Sequence, residues 1–191
     1  QPSLVPCRLK FPHSPDQHGL GYLLAENKNS AIHHNNDGGE IWTRTNEDYD
    51  IAIRPFYYTG LAADPDNPNR IYNIFNRLSV SIDGGKTFEL QPMGHRHSDH
   101  HAMAFDPNDP DYVMYGTDGG LYESFDDGET FRFIANLPVT QFYKVAVDYD
   151  EPFYNIYGGT QDNSTQGGPS RTMNVNGIRN GDWFITVFAD G

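Results

Sequence analysis

The chain has 191 residues, enough to bury a real core, and its 19 Gly and 13 Pro fall short of a low-complexity composition. Acidic residues outnumber basic ones 26 to 13, and the resulting net charge of −13 argues against nucleic acid or an anionic membrane surface as a partner. No apolar run approaches the ~20 residues of a membrane span, so no membrane insertion is expected.

From the N-terminus onward, two short patterns recur. The first is an acidic turn, read at Asn35-Asn36-Asp37-Gly38-Gly39-Glu40-Ile41-Trp42, at Ser81-Ile82-Asp83-Gly84-Gly85-Lys86-Thr87-Phe88 and at Ser124-Phe125-Asp126-Asp127-Gly128-Glu129-Thr130-Phe131. Asp and Gly tolerate the positive φ of a tight hairpin, and the closing aromatic starts a strand. Asp37, Asp83 and Asp126 are expected to be structural, each bonding the backbone of its own turn. The copy at Asp37 is the degraded one. The second pattern is an Asp-Pro turn led by Asp64, Asp106 and, more loosely, Asp148, which stand 42 residues apart. A period in the low forties, with several short strands per unit, is that of a β-propeller, about four strands per blade. The Gly, Pro, Asn and Asp punctuation leaves no room for the helices of helical repeats.

The expected fold is all-β: a partial β-propeller of about three to four four-stranded blades, at about 1–50, 51–95, 96–140 and 141–191, in one domain. In the third blade the strands are expected at 101–105, 112–116, 120–124 and 130–134. The fourth begins near Gln141 and carries a long excursion over 160–181 before an outer strand at 183–187. In such a meander the Asp-Pro and acidic turns share one pole. The links between blades and the turns between second and third strands share the other, and non-repeating residues there mark a possible site.

That opposite pole collects Arg54, Tyr57 and Tyr58 from the second link, Asn76 and Arg77 from the following turn, and the imidazole-rich link holding His97, Asp99, His100 and His101. To these it adds Asp118, then Gln161, Asp162 and Asn163, and finally Asp190. Carboxylates, imidazoles, amides and tyrosines suit a sugar, a peptide end or a divalent metal. The histidines lie too close in sequence for all to face one ion, and no His-x-x-x-His or paired Cys supports them, so no metal is expected. Cys7 is the single cysteine, which rules out an internal disulfide. Gly-x-Ser-x-Gly and phosphate-loop patterns are absent, and no cofactor is expected.

The acidic turns resemble the Asp-box, or bacterial neuraminidase repeat, of sialidases, xyloglucan-degrading propellers and the sortilin receptor domain. Arg54-Pro55-Phe56-Tyr57-Tyr58, Ser98-Asp99-His100-His101, Gly116-Thr117-Asp118-Gly119-Gly120, Gln141-Phe142-Tyr143, Gly158-Gly159-Thr160-Gln161-Asp162-Asn163 and Gly167-Gly168-Pro169-Ser170-Arg171-Thr172 extend the likeness to bacterial sortilin-like proteins often labelled glycosyl hydrolases. The resemblance implies a large secreted or cell-envelope propeller with about twice as many blades. It carries catalytic residues over poorly. The arginine triad of sialidases finds no counterpart, and Thr117-Asp118-Gly119-Gly120-Leu121-Tyr122 is similar to the acid-bearing motif of xyloglucan-degrading propellers but lacks one residue.

Three readings follow. One is a non-catalytic binding or assembly module for a protein or carbohydrate. Another is a glycoside hydrolase using Asp118 and a second acid, Asp162 or Asp190 being the candidates. The last is a structural subunit that associates, with further blades or copies of itself, through exposed blade edges.

Overall fold

The computed structural model describes residues 8–10, 19–26, 30–53, 58–137 and 139–191. Arg54, Tyr57 and Cys7 lie outside the described residues. The chain divides into two compact units, 1–134 and 135–191.

The first unit holds three antiparallel sheets, each a meander in simple sequence order. They are β1 (Arg8–Lys10), β2 (Gly21–Glu26), β3 (Ala31–Asn35) and β4 (Thr43–Asn46); then β5 (Gly60–Ala63), β6 (Ile71–Ile74), β7 (Ser79–Ser81) and β8 (Glu89–Leu90); then β9 (His100–Asp106), β10 (Asp109–Thr117), β11 (Gly120–Ser124) and β12 (Arg132–Phe133). The second unit holds a fourth meander, β13 (Phe142–Val147), β14 (Asn155–Thr160), β15 (Thr165–Pro169) and β16 (Phe184–Val187). The protein is all-β and built of four-stranded blades.

The middle strands make the core of the first unit. Tyr22, Leu24, Ile32, Ile51 and Ile71 form one buried cluster joining the first sheet to the second. Tyr72, Ile74, Leu78 and Val80 form another, against which Met103 and Phe105 of the third sheet pack. Fully burying an aliphatic or aromatic side chain is worth about 1.5–3 kcal/mol, so these two clusters dominate the cohesion of the three sheets. Tyr22 and Tyr72 also carry a polar tip across: the Tyr22 hydroxyl donates to Pro68 O at 2.7 Å, and that of Tyr72 to Asp127 Oδ1 at 3.4 Å.

The two poles separate in the first unit. The Gly84 N–H of one acidic turn donates to Asn69 O of the neighbouring Asp-Pro turn at 2.9 Å, and Asp127 N–H donates to Asp111 O at 2.9 Å. At the other end, the link into β9 bonds to the β6–β7 turn through Asp99 N–H to Asn76 O at 3.0 Å and His100 N–H to Phe75 O at 2.9 Å.

Within each acidic turn the carboxylate closes its own loop. Asp83 Oδ1 accepts from Lys86 N–H and Thr87 N–H, both at 3.0 Å, and Oδ2 from the Thr87 hydroxyl at 2.6 Å. Slight burial opposes ionisation there, but the Thr87, Ser81 and backbone donors outweigh it and bring the Asp83 pKa down to about 2. The copy that looks degraded is intact in function: Asn35 stands where the others have Ser, and its Oδ1 accepts Gly39 N–H at 2.7 Å as Ser81 Oγ accepts Gly85 N–H at 2.8 Å.

Two elements depart from the sequence-based expectation. The fourth strand of the third blade is only Arg132–Phe133. The expected excursion over 160–181 contains a true strand, β15, whose Thr-Gln-Gly-Gly-Pro composition carries almost no strand propensity. Its glycines are there for close approach. A Cβ on Gly168 would stand 2.7 Å from the Trp183 ring, and one on Gly167 2.8 Å from the Phe184 ring. Aromatic residues of the last strand segment thus lie over the bare backbone of β15.

Candidate functional site

The non-repeating pole of the first unit centres on Asp99. Its backbone is left-handed, φ 60°, a conformation that costs a non-glycine residue energy and that Asp tolerates better than most. Five bonds hold it there. Its N–H donates to Asn76 O, its carbonyl accepts Asp118 N–H at 3.2 Å, and its carboxylate takes donors from three sides. These are the Tyr58 hydroxyl, in a short bond, Asn76 Nδ2 at 3.1 Å and the Ser98 hydroxyl at 2.7 Å. Burial works to raise the Asp99 carboxyl, and those three donors outweigh it, so Asp99 lies below the usual carboxylate range and stays ionised.

Asp118 follows in the β10–β11 turn, where its Oδ1 meets His101 Nε2 at 2.7 Å. Carboxylate oxygens of Asp99 and Asp118 come within 4.8 Å of each other. The Tyr58 ring lies 4.7 Å from that of His101, centre to centre, which makes Tyr58, Asp99, His101 and Asp118 one contiguous group. Two carboxylates supply only a part of the six or more oxygens that calcium takes.

The imidazoles of the link go three different ways. His101 turns to Asp118. His97 Nδ1 meets Ser98 O at 3.0 Å, and its side chain lies over Gly119, where a Cβ would stand 2.5 Å away. His100 is 2% exposed, and its Nδ1 donates to Phe75 O at 3.2 Å while its ring, tilted 40° to that of Tyr115, lies 5.0 Å from it, centre to centre. Burial lowers the His100 pKa and keeps the ring neutral. His100 therefore ties the third sheet to the second and does not reach the surface of the pole.

In the second unit, Gln161, Asp162 and Asn163 form the β14–β15 hairpin. Tyr143 bonds Gln161 through a short hydroxyl contact, Gln161 Nε2 donates to Asp162 Oδ2 at 2.9 Å, and Asn163 Nδ2 to Gln161 O at 2.7 Å. Asp162 N–H donates to Asp190 Oδ1 at 3.2 Å, which places these two acids side by side. Gly191 N–H donates to Thr160 O at 3.1 Å and fixes that end of the chain against the hairpin.

The site residues expected from the sequence leave out Ser98, though its neighbours in the link are among them, and also Asp48 and Asp50, at the turn before β5, and Asn73, in β6. Serine beside aspartate is too common to signal anything, and the other three belong to no repeat.

No protein-family model matches the chain, and no curated protein does. Solved structures do. The GH74 enzyme of Niastella koreensis is 18% identical with a TM-score of 0.54, over 93% of this chain and 30% of that one. The GH74 xyloglucanase of Xanthomonas campestris is 16% identical with a TM-score of 0.51, over 83% of this chain and 29% of that one. A structure of YCF48 bound to D1 peptide is 14% identical with a TM-score of 0.48, over 85% and 52%. At such identities the likeness shows the fold alone, a β-propeller. The chain spans about a third of the length of the two GH74 structures.

Proposed function

We propose that the protein is an extracytoplasmic propeller of the Asp-box kind that serves as a non-catalytic binding or assembly module for a protein or carbohydrate, with the pole carrying Tyr58, Asp99, His101 and Asp118 as its contact surface. The state of Asp99 carries this reading. A carboxylate saturated by three donors and held ionised is a fixed acceptor, suited to position neighbours and unsuited to give up a proton. His101, 41% exposed, and its partner Asp118 are the groups left to meet a ligand. Extracytoplasmic location rests on the sequence resemblance.

The experiment is affinity electrophoresis against xyloglucan, cellulose and peptidoglycan, paired with a reducing-end assay and with pull-down on immobilised protein. Retention that weakens about tenfold in His101→Ala, with no new reducing ends, is the expected result. Turnover of a polysaccharide that disappears in Asp118→Asn overturns it.

One observation favours glycoside hydrolysis as a second reading. Asp99 and Asp118 bring carboxylate oxygens no more than 4.8 Å apart within one unit, and a pair of carboxyl groups is what glycoside hydrolysis requires. In that case Asp99, in the same unit as Asp118, joins Asp162 and Asp190 as a candidate second acid.

A further inference from the structure

Beside the polar group just described, on the turn-and-link side of the first two sheets, the first unit opens a cleft of about 630 Å³, within the range of sites that take small ligands or a peptide side chain. Asn76 lines it and also donates to Asp99, so the two sites adjoin there.

The lining sorts into three chemistries. Ile51 and Phe75, 3% and 5% exposed, sit deep, and Ile53 and Leu90, 41% and 58% exposed, form aliphatic walls. Asp48 and Asp50 bring two carboxylates, and among the described residues neither has a cationic partner. Asn73, 3% exposed, donates Nδ2 to Ile51 O at 3.2 Å, while its Oδ1 has no hydrogen-bond partner among the described residues. A buried acceptor left unmet is costly, and the natural remedy is a donor brought by a ligand.

These features select a ligand that is aliphatic along its length, cationic at one end and rich in N–H donors. Sugar rings suit the cleft poorly. Their hydroxyls would lose water against isoleucine and leucine, and of the two rings in the lining Phe75 is buried and Phe88 half-buried, which leaves little ring face for stacking. Lysine fits: its stem covers apolar surface while its ammonium reaches carboxylates. Arg77, also in the lining, disfavours a dense run of cations. We propose that this cleft binds a protein partner through a single lysine flanked by apolar residues, the stem against Ile53 and Leu90, the ammonium at Asp48 and Asp50, and an N–H of the segment offered to Asn73. It goes beyond the reading above and stands on different residues.

The test is methyl NMR on the full chain, titrated with a blocked Gly-Leu-Lys-Leu-Gly peptide and with versions carrying norleucine or glutamate in place of the lysine. Saturable shifts at the Ile51, Ile53 and Leu90 methyls are expected with the lysine peptide, with binding about tenfold weaker for norleucine and no saturation for glutamate. The Asp48→Asn/Asp50→Asn variant should lose a similar factor, and Asp118→Asn should lose none, which separates failure here from failure of the contact surface at Asp118. Equal affinity for all three peptides, no shift at these methyls, or cellotetraose moving them where the lysine peptide does not, overturns the proposal. Should the double variant fail to fold, the norleucine comparison on the unaltered chain decides.

Discussion

Arg70 forms an ion pair with Asp127, clamping the second sheet to the acidic turn of the third. The guanidinium adds a bond from Nη2 to Asp127 O at 3.1 Å and lies 5.5 Å from the centre of the Tyr72 ring. The pair is only partly exposed, 23% and 33%, so water screens it less than a surface bridge. Arg70→Ala and Asp127→Ala are each expected to lower unfolding free energy by about 1–3 kcal/mol, from the loss of a charge-assisted bond. A double-mutant cycle by urea titration should show coupling of about 0.5 kcal/mol or more. Strict additivity would mean the clamp contributes nothing.

Acid should loosen the hairpins through Asp83. Its folded pKa of about 2 lies below the ordinary 3.8, so its ionised form is favoured by folding. The contribution is full above about pH 4 and is lost as pH falls towards 2. Melting temperature followed over that window should drop less steeply in Asp83→Asn than in the unaltered chain. Parallel profiles would show the turn carboxylate to be uncoupled from stability.

His100 acts in a higher window. Burial depresses its pKa below 6.5, so its neutral form belongs to the fold, and its contribution is present above that pH and lost as pH falls through the lowered value. Replacing it in His100→Gln should cost stability at pH 7.5 and flatten the profile below pH 6.5. A variant whose stability falls equally at both ends would refute the assignment.

Gly168→Ala tests the aromatic cover of β15. With Trp183 2.7 Å from the new methyl, ring or backbone must move, at a cost of about 1–3 kcal/mol. Amide exchange at Tyr157, Gln166 and Ile185 should accelerate. Gly181→Ala, where a Cβ meets nothing within 4 Å, is the matched control.

Legibility in the sequence followed the range of the interactions. The acidic turns were readable because Ser81, Asp83 and Thr87 bond within four residues of one another, so that composition and spacing alone specify the geometry. Asn35 shows the limit of that signal. Its amide does the work of a serine hydroxyl, and only the bond to Gly39 reveals it. Strand β15 was missed for a complementary reason: a Gly-Gly segment becomes a strand through the rings that cover it, and those come from Trp183 and Phe184.

What the sequence determined by itself was the blade: a four-stranded meander, the order of its turns, and the pole to which each class of turn belongs. These are consequences of local backbone preference repeated at a fixed interval. Tertiary structure decided which residues meet at the irregular pole. Tyr58 and Asn76 reach Asp99 across 41 and 23 residues of chain, His100 turns inward while His101 turns out, and the cleft over Asn73 exists only because two sheets pack there. Such contacts depend on how sheets stack, and stacking is fixed by volume and burial summed over many side chains, which no short motif encodes.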